Sequence, residues 1–79
     1  MPTIHRDDGW KVAMYRKDHN PPHFHIITPD TEVQVRLDSL EIMAGRISAR
    51  LWKQARSWAL EHRSALEEAW QRLRAEENG

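Results

Sequence analysis

A chain of 79 residues is expected to form one small domain, near the size where a single apolar core only just offsets chain entropy. Twelve basic and twelve acidic side chains cancel, so no global field draws it to nucleic acid or membrane, and any such contact needs a local patch. The lack of cysteine excludes a disulfide framework and a thiolate metal site.

No apolar run approaches ~18 residues and no charged-then-apolar leader opens the chain, so a cytoplasmic protein without membrane contact is expected. Hydrophobic content is 39%. The four tryptophans supply compensating bulk, since each can bury ~150–250 Å².

Thr3 and Ile4 are able to start a strand, and Asp8-Gly9 is the residue pair of a two-residue hairpin loop. From Trp10 to Arg16 the chain alternates, with Trp10, Val12 and Met14 on one face of a strand. Lys17 to Pro22 reads as a rigid connector, His23 to Thr28 as the next strand, and Pro29-Asp30 as a turn. Val33, Val35 and Leu37 alternate with Glu32, Gln34 and Arg36 in a further strand over Thr31 to Leu37, half buried in an antiparallel sheet. Asp38 to Ile47 is ambiguous. Asp38 and Glu41 have capping-box spacing for one helical turn, yet Leu40, Ile42 and Met43 suit extended structure up to Gly45, and extended structure is the expectation.

Beyond this point the period changes. Ser48 suits an N-cap, and Leu51, Ala55, Trp58 and Ala59 recur at helical steps, continuing through His62, Leu66, Ala69, Trp70 and Leu73. Ser64 to Glu67 reads as a second capping box and His62-Arg63 as a helix end, so two helices with a break near residues 62–64 are expected, fraying from Glu76 to Gly79. The fold class is therefore α+β. A small antiparallel sheet of three to four strands (β-rich half, 1–47) is followed by two C-terminal helices (helical half, 48–77) packed on one sheet face.

The chemistry concentrates in Asp18-His19-Asn20-Pro21-Pro22-His23-Phe24-His25. Each proline locks φ and constrains the residue before it, which makes a stiff entry to a strand. Alternation along that strand points His23 and His25 the same way, and the side-by-side rings are expected to be open to solvent. These groups titrate near neutrality, and three functional readings follow. One is acid–base work on a phosphodiester by His19, His23 and His25, with Arg16 and Lys17 steadying the phosphate. Another is a site for a divalent transition metal such as zinc or nickel on His23, His25 and Asp18. The third is a partner-binding surface. The bland alternative is histidines that finish a strand and pair with Asp or Glu.

His5 stands alone as an exposed strand residue, and His62 suits a packed, hydrogen-bonded helix end. Trp52 falls off the apolar stripe, so its exposure points to an interface or to a homodimer contact at a sheet edge. Arg46, Arg50, Lys53 and Arg56 form a basic side, either simply solvated or a surface for phosphate or an acidic partner. No Gly-rich phosphate loop, Ser-His-Asp set or HExxH motif is present.

Several stretches together resemble a bacterial family, the domain of unknown function numbered 4160. They are Met1-Pro2-Thr3-Ile4, the D-H-N-P-P-H-F-H run at 18–25, Leu40-Glu41 with Gly45-Arg46-Ile47, and Trp58 to Arg63 with Leu66 and Trp70. Ser48 departs from the family pattern, where proline is frequent. The resemblance implies a toxin-like component of a two-gene toxin–antitoxin module, with a small antitoxin-like protein as cognate partner. Clustered imidazoles beside cations, without a nucleophile or cofactor motif, add the hypothesis that His23 and His25 act as base and acid on RNA, as in a histidine acid–base ribonuclease. The alternative is a non-enzymatic, metal-binding or antitoxin-like interaction module.

Overall fold

A computed structural model describes residues 3–15 and 21–78. Five strands form an antiparallel meander in which each pairs with the next: β1 (Thr3–Asp7), β2 (Trp10–Ala13), β3 (His23–Ile27), β4 (Glu32–Arg36) and β5 (Ile42–Gly45). Two helices follow, α1 (Ala49–Glu61) and α2 (Arg63–Asn78). The α+β class and the helical pair hold. The sheet has five strands instead of three to four.

The additional strand is β5. It forms because the chain reverses tightly after β4, with Leu40 at φ 57, Leu40 N–H donating to the Arg36 carbonyl at 2.9 Å and Arg36 N–H to that of Glu41 at 2.9 Å. The Leu40-to-Arg36 bond closes a single helical-type turn over residues 36–40 that is not continued, and the extended expectation is met over Ile42–Gly45. Gly45, where the extended run is expected to stop, is the last residue of β5 at φ +90, and a Cβ there would sit 2.0 Å from the Glu32 carbonyl oxygen. Only glycine lets the two backbones come this close.

The Asp8-Gly9 loop is a two-residue hairpin, since Asp7 opposes Trp10 and Gly9 has φ +91. Register then aligns the core: Val12 opposes Ile26, Ile26 opposes Val33 and Phe24 opposes Val35. These residues, with Trp10, Met14 and Leu37, face the helices, whose Ala55, Ala59, Leu66 and Trp70 complete one cluster.

Ser48 caps α1 as expected, its Oγ accepting from Leu51 N–H at 3.2 Å. The helix ends at His62, whose backbone N–H is shared between the Trp58 and Ala59 carbonyls. The second capping box does not form a cap. Helix α2 begins at Arg63, Leu66 N–H donates to the His62 carbonyl at 3.0 Å, and Ser64 lies inside the helix. That helix runs on to Asn78, past the point where fraying is expected, while Gly79 is outside the described residues. No helix among the described residues is long and apolar enough to cross a membrane.

Candidate functional site

Alternation along β3 puts Phe24 and Ile26 into the core and His23 and His25 on the other face, as the sequence implies. Their ring centroids lie 5.3 Å apart. The expectation that fails is openness: each residue is only 6% exposed. Strand periodicity specifies a face and not what covers it. Tyr15 stands edge-on to His25 at 4.6 Å, and Trp70 of α2 lies 5.6 Å from His23, which begins its strand.

Among the described residues, two hydrogen bonds bear on the ring orientations. Pro21 offers its carbonyl to His23 Nδ1 at 2.8 Å. Glu32 offers a carboxylate oxygen to His25 Nδ1 at 2.7 Å. Both acceptors require Nδ1 to carry the proton, so each neutral ring is the Nδ1–H tautomer. Any proton exchange or metal bond by these rings therefore has to use Nε2. A carboxylate on the far nitrogen fixes tautomer and ring plane in histidines that do chemistry, and for His25 it is equally the buried, carboxylate-paired strand histidine of the bland alternative.

Glu32 was not singled out by motif or spacing, but the hairpin makes it legible. With the turn at Pro29-Asp30, Ile27 opposes Glu32 and His25 opposes Gln34. Glu32 is then the diagonal neighbour of His25 on the same face. Tyr15, two residues past the Ala13 that opposes His25, is legible in the same way, whereas Trp70 carried no such signal, since its approach depends on tertiary packing.

The rest of the expected site, Arg16, Lys17, Asp18 and His19, lies outside the described residues, as does the connector from Lys17 to Asn20. Among the described residues, no group of three or more His, Cys, Asp or Glu side chains is arranged to hold a metal ion.

His5 and His62 belong elsewhere. His5 is half-buried instead of exposed, because its register opposite Val12 turns it toward the helices. It stacks on Trp58 at 4.5 Å, and His62 stacks on Trp58 at 4.6 Å. His62 Nδ1 also donates to the Trp58 carbonyl at 2.8 Å, the hydrogen-bonded helix end expected of it, though the residue is exposed and not packed away.

Two surface carboxylates are shifted by their neighbours. Asp38 is pulled down to about 2, chiefly by its hydrogen bond with the Arg36 guanidinium, which grips it through Nε and Nη2 at 2.9 Å each. Asp7 is lowered first by the Asp8 backbone N–H and then by the His5 side chain.

No curated protein and no solved structure matches this chain. A family model does, over residues 9–71, and those residues include the Pro-Pro-His-Phe-His run, Glu32, Gly45 and Trp70. The chain belongs to the family described as Domain of unknown function (DUF4160).

Proposed function

We propose that the protein is the toxin-like member of a bacterial two-protein module and that its working centre is the imidazole pair of β3, acting on RNA. The observation that carries the chemical half is the His25–Glu32 hydrogen bond at 2.7 Å beside a second ring with the same tautomer. In the reaction, an RNA 2′-hydroxyl loses its proton to neutral His23 Nε2 and its oxygen bonds the adjacent phosphorus. The bond from phosphorus to the 5′-oxygen breaks, and protonated His25 gives its Nε2 proton to that leaving oxygen. The Glu32 carboxylate offsets the charge of doubly protonated His25. Arg16 and Lys17, next in the chain after Tyr15, are the candidates to hold the phosphate, with His19 as a third imidazole.

A second reading is a non-enzymatic interaction module, and the low exposure of both rings favours it. On this reading, the hydrogen bonds of His23 and His25 serve the fold, and the metal alternative on His23, His25 and Asp18 is a variant of it.

Induced expression separates the two. The toxin reading expects the wild-type chain to arrest growth and deplete cellular RNA, and expects folded His23→Asn and His25→Asn variants to do neither. Folded variants that arrest growth as well as the wild type overturn the catalytic claim. A wild-type chain that is harmless and relieves the toxicity of its neighbour's product reverses the assignment to antitoxin. Calorimetry with zinc and nickel tests the metal variant, which requires stoichiometric binding lost in His25→Asn.

A further inference from the structure

Strand β5 ends the sheet, pairing with β4 on one side only. All four of its residues are exposed, including Ile42 at 41% and Met43 at 39%. An outer strand presents backbone donors and acceptors as a template for another strand, and natural edges are commonly guarded by charge, proline or a covering segment. Within Ile42–Gly45 there is neither charge nor proline, and the guards present are the strand's shortness, four residues, and its register shift against β4.

Basic side chains outnumber acidic ones beside this edge. Arg46 follows β5 directly, and Arg50, Lys53 and Arg56 are exposed on α1. None of the four has an ion pair or a side-chain hydrogen bond among the described residues. Among the described residues, the acids beside them at the strand are Glu41 and Glu32, the latter already bonded to His25, while the one acid of α1, Glu61, is at its far end. In a chain of zero net charge this is a local separation of charge. Trp52 and Arg56, one turn apart, line a hollow with Ser39, Leu40, Glu41 and Ile42, so apolar side chains with both a cation and a carboxylate adjoin the open strand.

We propose that the β5 edge and the adjoining side of α1 seat an acidic, extended segment of a partner protein, added to the sheet as a sixth strand. Main-chain hydrogen bonds to β5 give the register, alternate apolar side chains rest on Ile42 and Trp52, and carboxylates meet Arg46, Arg50, Lys53 and Arg56. A nucleic acid fits less well, because it makes no use of an open peptide edge or of bare Ile42 and Met43. The inference does not use the histidine centre. It bears on the partner half of the proposed module, and defined peptides test it without that reading.

The test is an array of β-prone peptides of about eight residues, graded from acidic to basic, read by fluorescence anisotropy against the full chain. Acidic peptides are expected to bind, with slowed hydrogen exchange at the amides of residues 42–45. Binding should weaken by at least about tenfold in an Arg50→Glu/Arg56→Glu double variant and be lost in Ile42→Lys, with melting curves showing that both remain folded. Any of four results overturns the proposal: equal affinity for basic peptides, undiminished binding by the charge-reversed protein, protection confined to other elements, or preference of this face for single-stranded RNA. Self-association through the same edge, seen in sedimentation and without peptide binding, also overturns it.

Discussion

Gly45 and Gly9 allow a clean separation of two costs that usually arrive together. Both have nearly the same backbone angle, φ +90 and φ +91, so alanine at either pays for a left-handed conformation, about 1–2 kcal/mol. The unfolded chain gains the same stiffness in each case, an offset of about 0.4–1 kcal/mol. Space is what differs. A Cβ at Gly9 meets only Leu51 Cδ2 at 3.6 Å, an ordinary contact, whereas one at Gly45 meets the Glu32 carbonyl oxygen at 2.0 Å with two further backbone atoms at 3.0 Å. Backbone cannot swing aside as a side-chain tip can, so β4 and β5 must part, at about 2–3 kcal/mol in the range of overpacked interiors. After the unfolded-state offset, Gly45→Ala should therefore cost about 2–4.5 kcal/mol in total, against roughly 4–12 kcal/mol for a domain of this size. Urea unfolding followed by tryptophan fluorescence measures both variants. Equal losses for Gly9→Ala and Gly45→Ala would refute the close approach of β5 to β4. The same change should also disturb His25, because the strand forced away is the one that carries Glu32.

Three further outcomes are expected. Ser48→Ala removes the acceptor for Leu51 N–H and should cost about 1 kcal/mol, measurable in the same unfolding assay. Phe24→Ala empties a fully buried site and should cost about 3–5 kcal/mol, leaving a marginal or unfolded chain by circular dichroism. For Asp38, the folded-state value of about 2 lies below the ordinary 3.8. Its contribution to stability is thus present above pH ~4 and lost as pH falls from there through about 2. Unfolding curves of wild type and Asp38→Asn should differ near neutrality and converge near pH 2. A gap that persists unchanged in acid contradicts the Arg36–Asp38 pairing.

Local signals were readable where local chemistry decides the outcome. Asp8-Gly9 made its hairpin, alternation in Val33-Gln34-Val35 made a strand, and Ser48 made a cap. The fifth strand was faint because Ile42–Gly45 is exposed throughout, with a register shift opposite Gln34 and Val35. It shows no alternation to detect. Ser64 misled because a capping box needs a chain that turns away before it, whereas the backbone passes from His62 into α2 within the same turn. In the candidate site, the shared direction of His23 and His25 follows from a period of two. Their burial does not, since Trp70 approaches His23 from far along the chain. Glu32 lies between these cases, deducible from hairpin register though from no motif.

The centre proposed for this protein depends on both imidazoles holding their protons at Nδ1, one against the Pro21 carbonyl and one against Glu32. Side-chain nitrogen NMR of isotopically labelled protein, taken where the rings are neutral, reads the tautomer directly. The account predicts Nδ1–H for His23 and His25, with the His25 signal changed by Glu32→Gln and the His23 signal largely unmoved. An Nε2–H tautomer at His25, or indifference to Glu32→Gln, would contradict it.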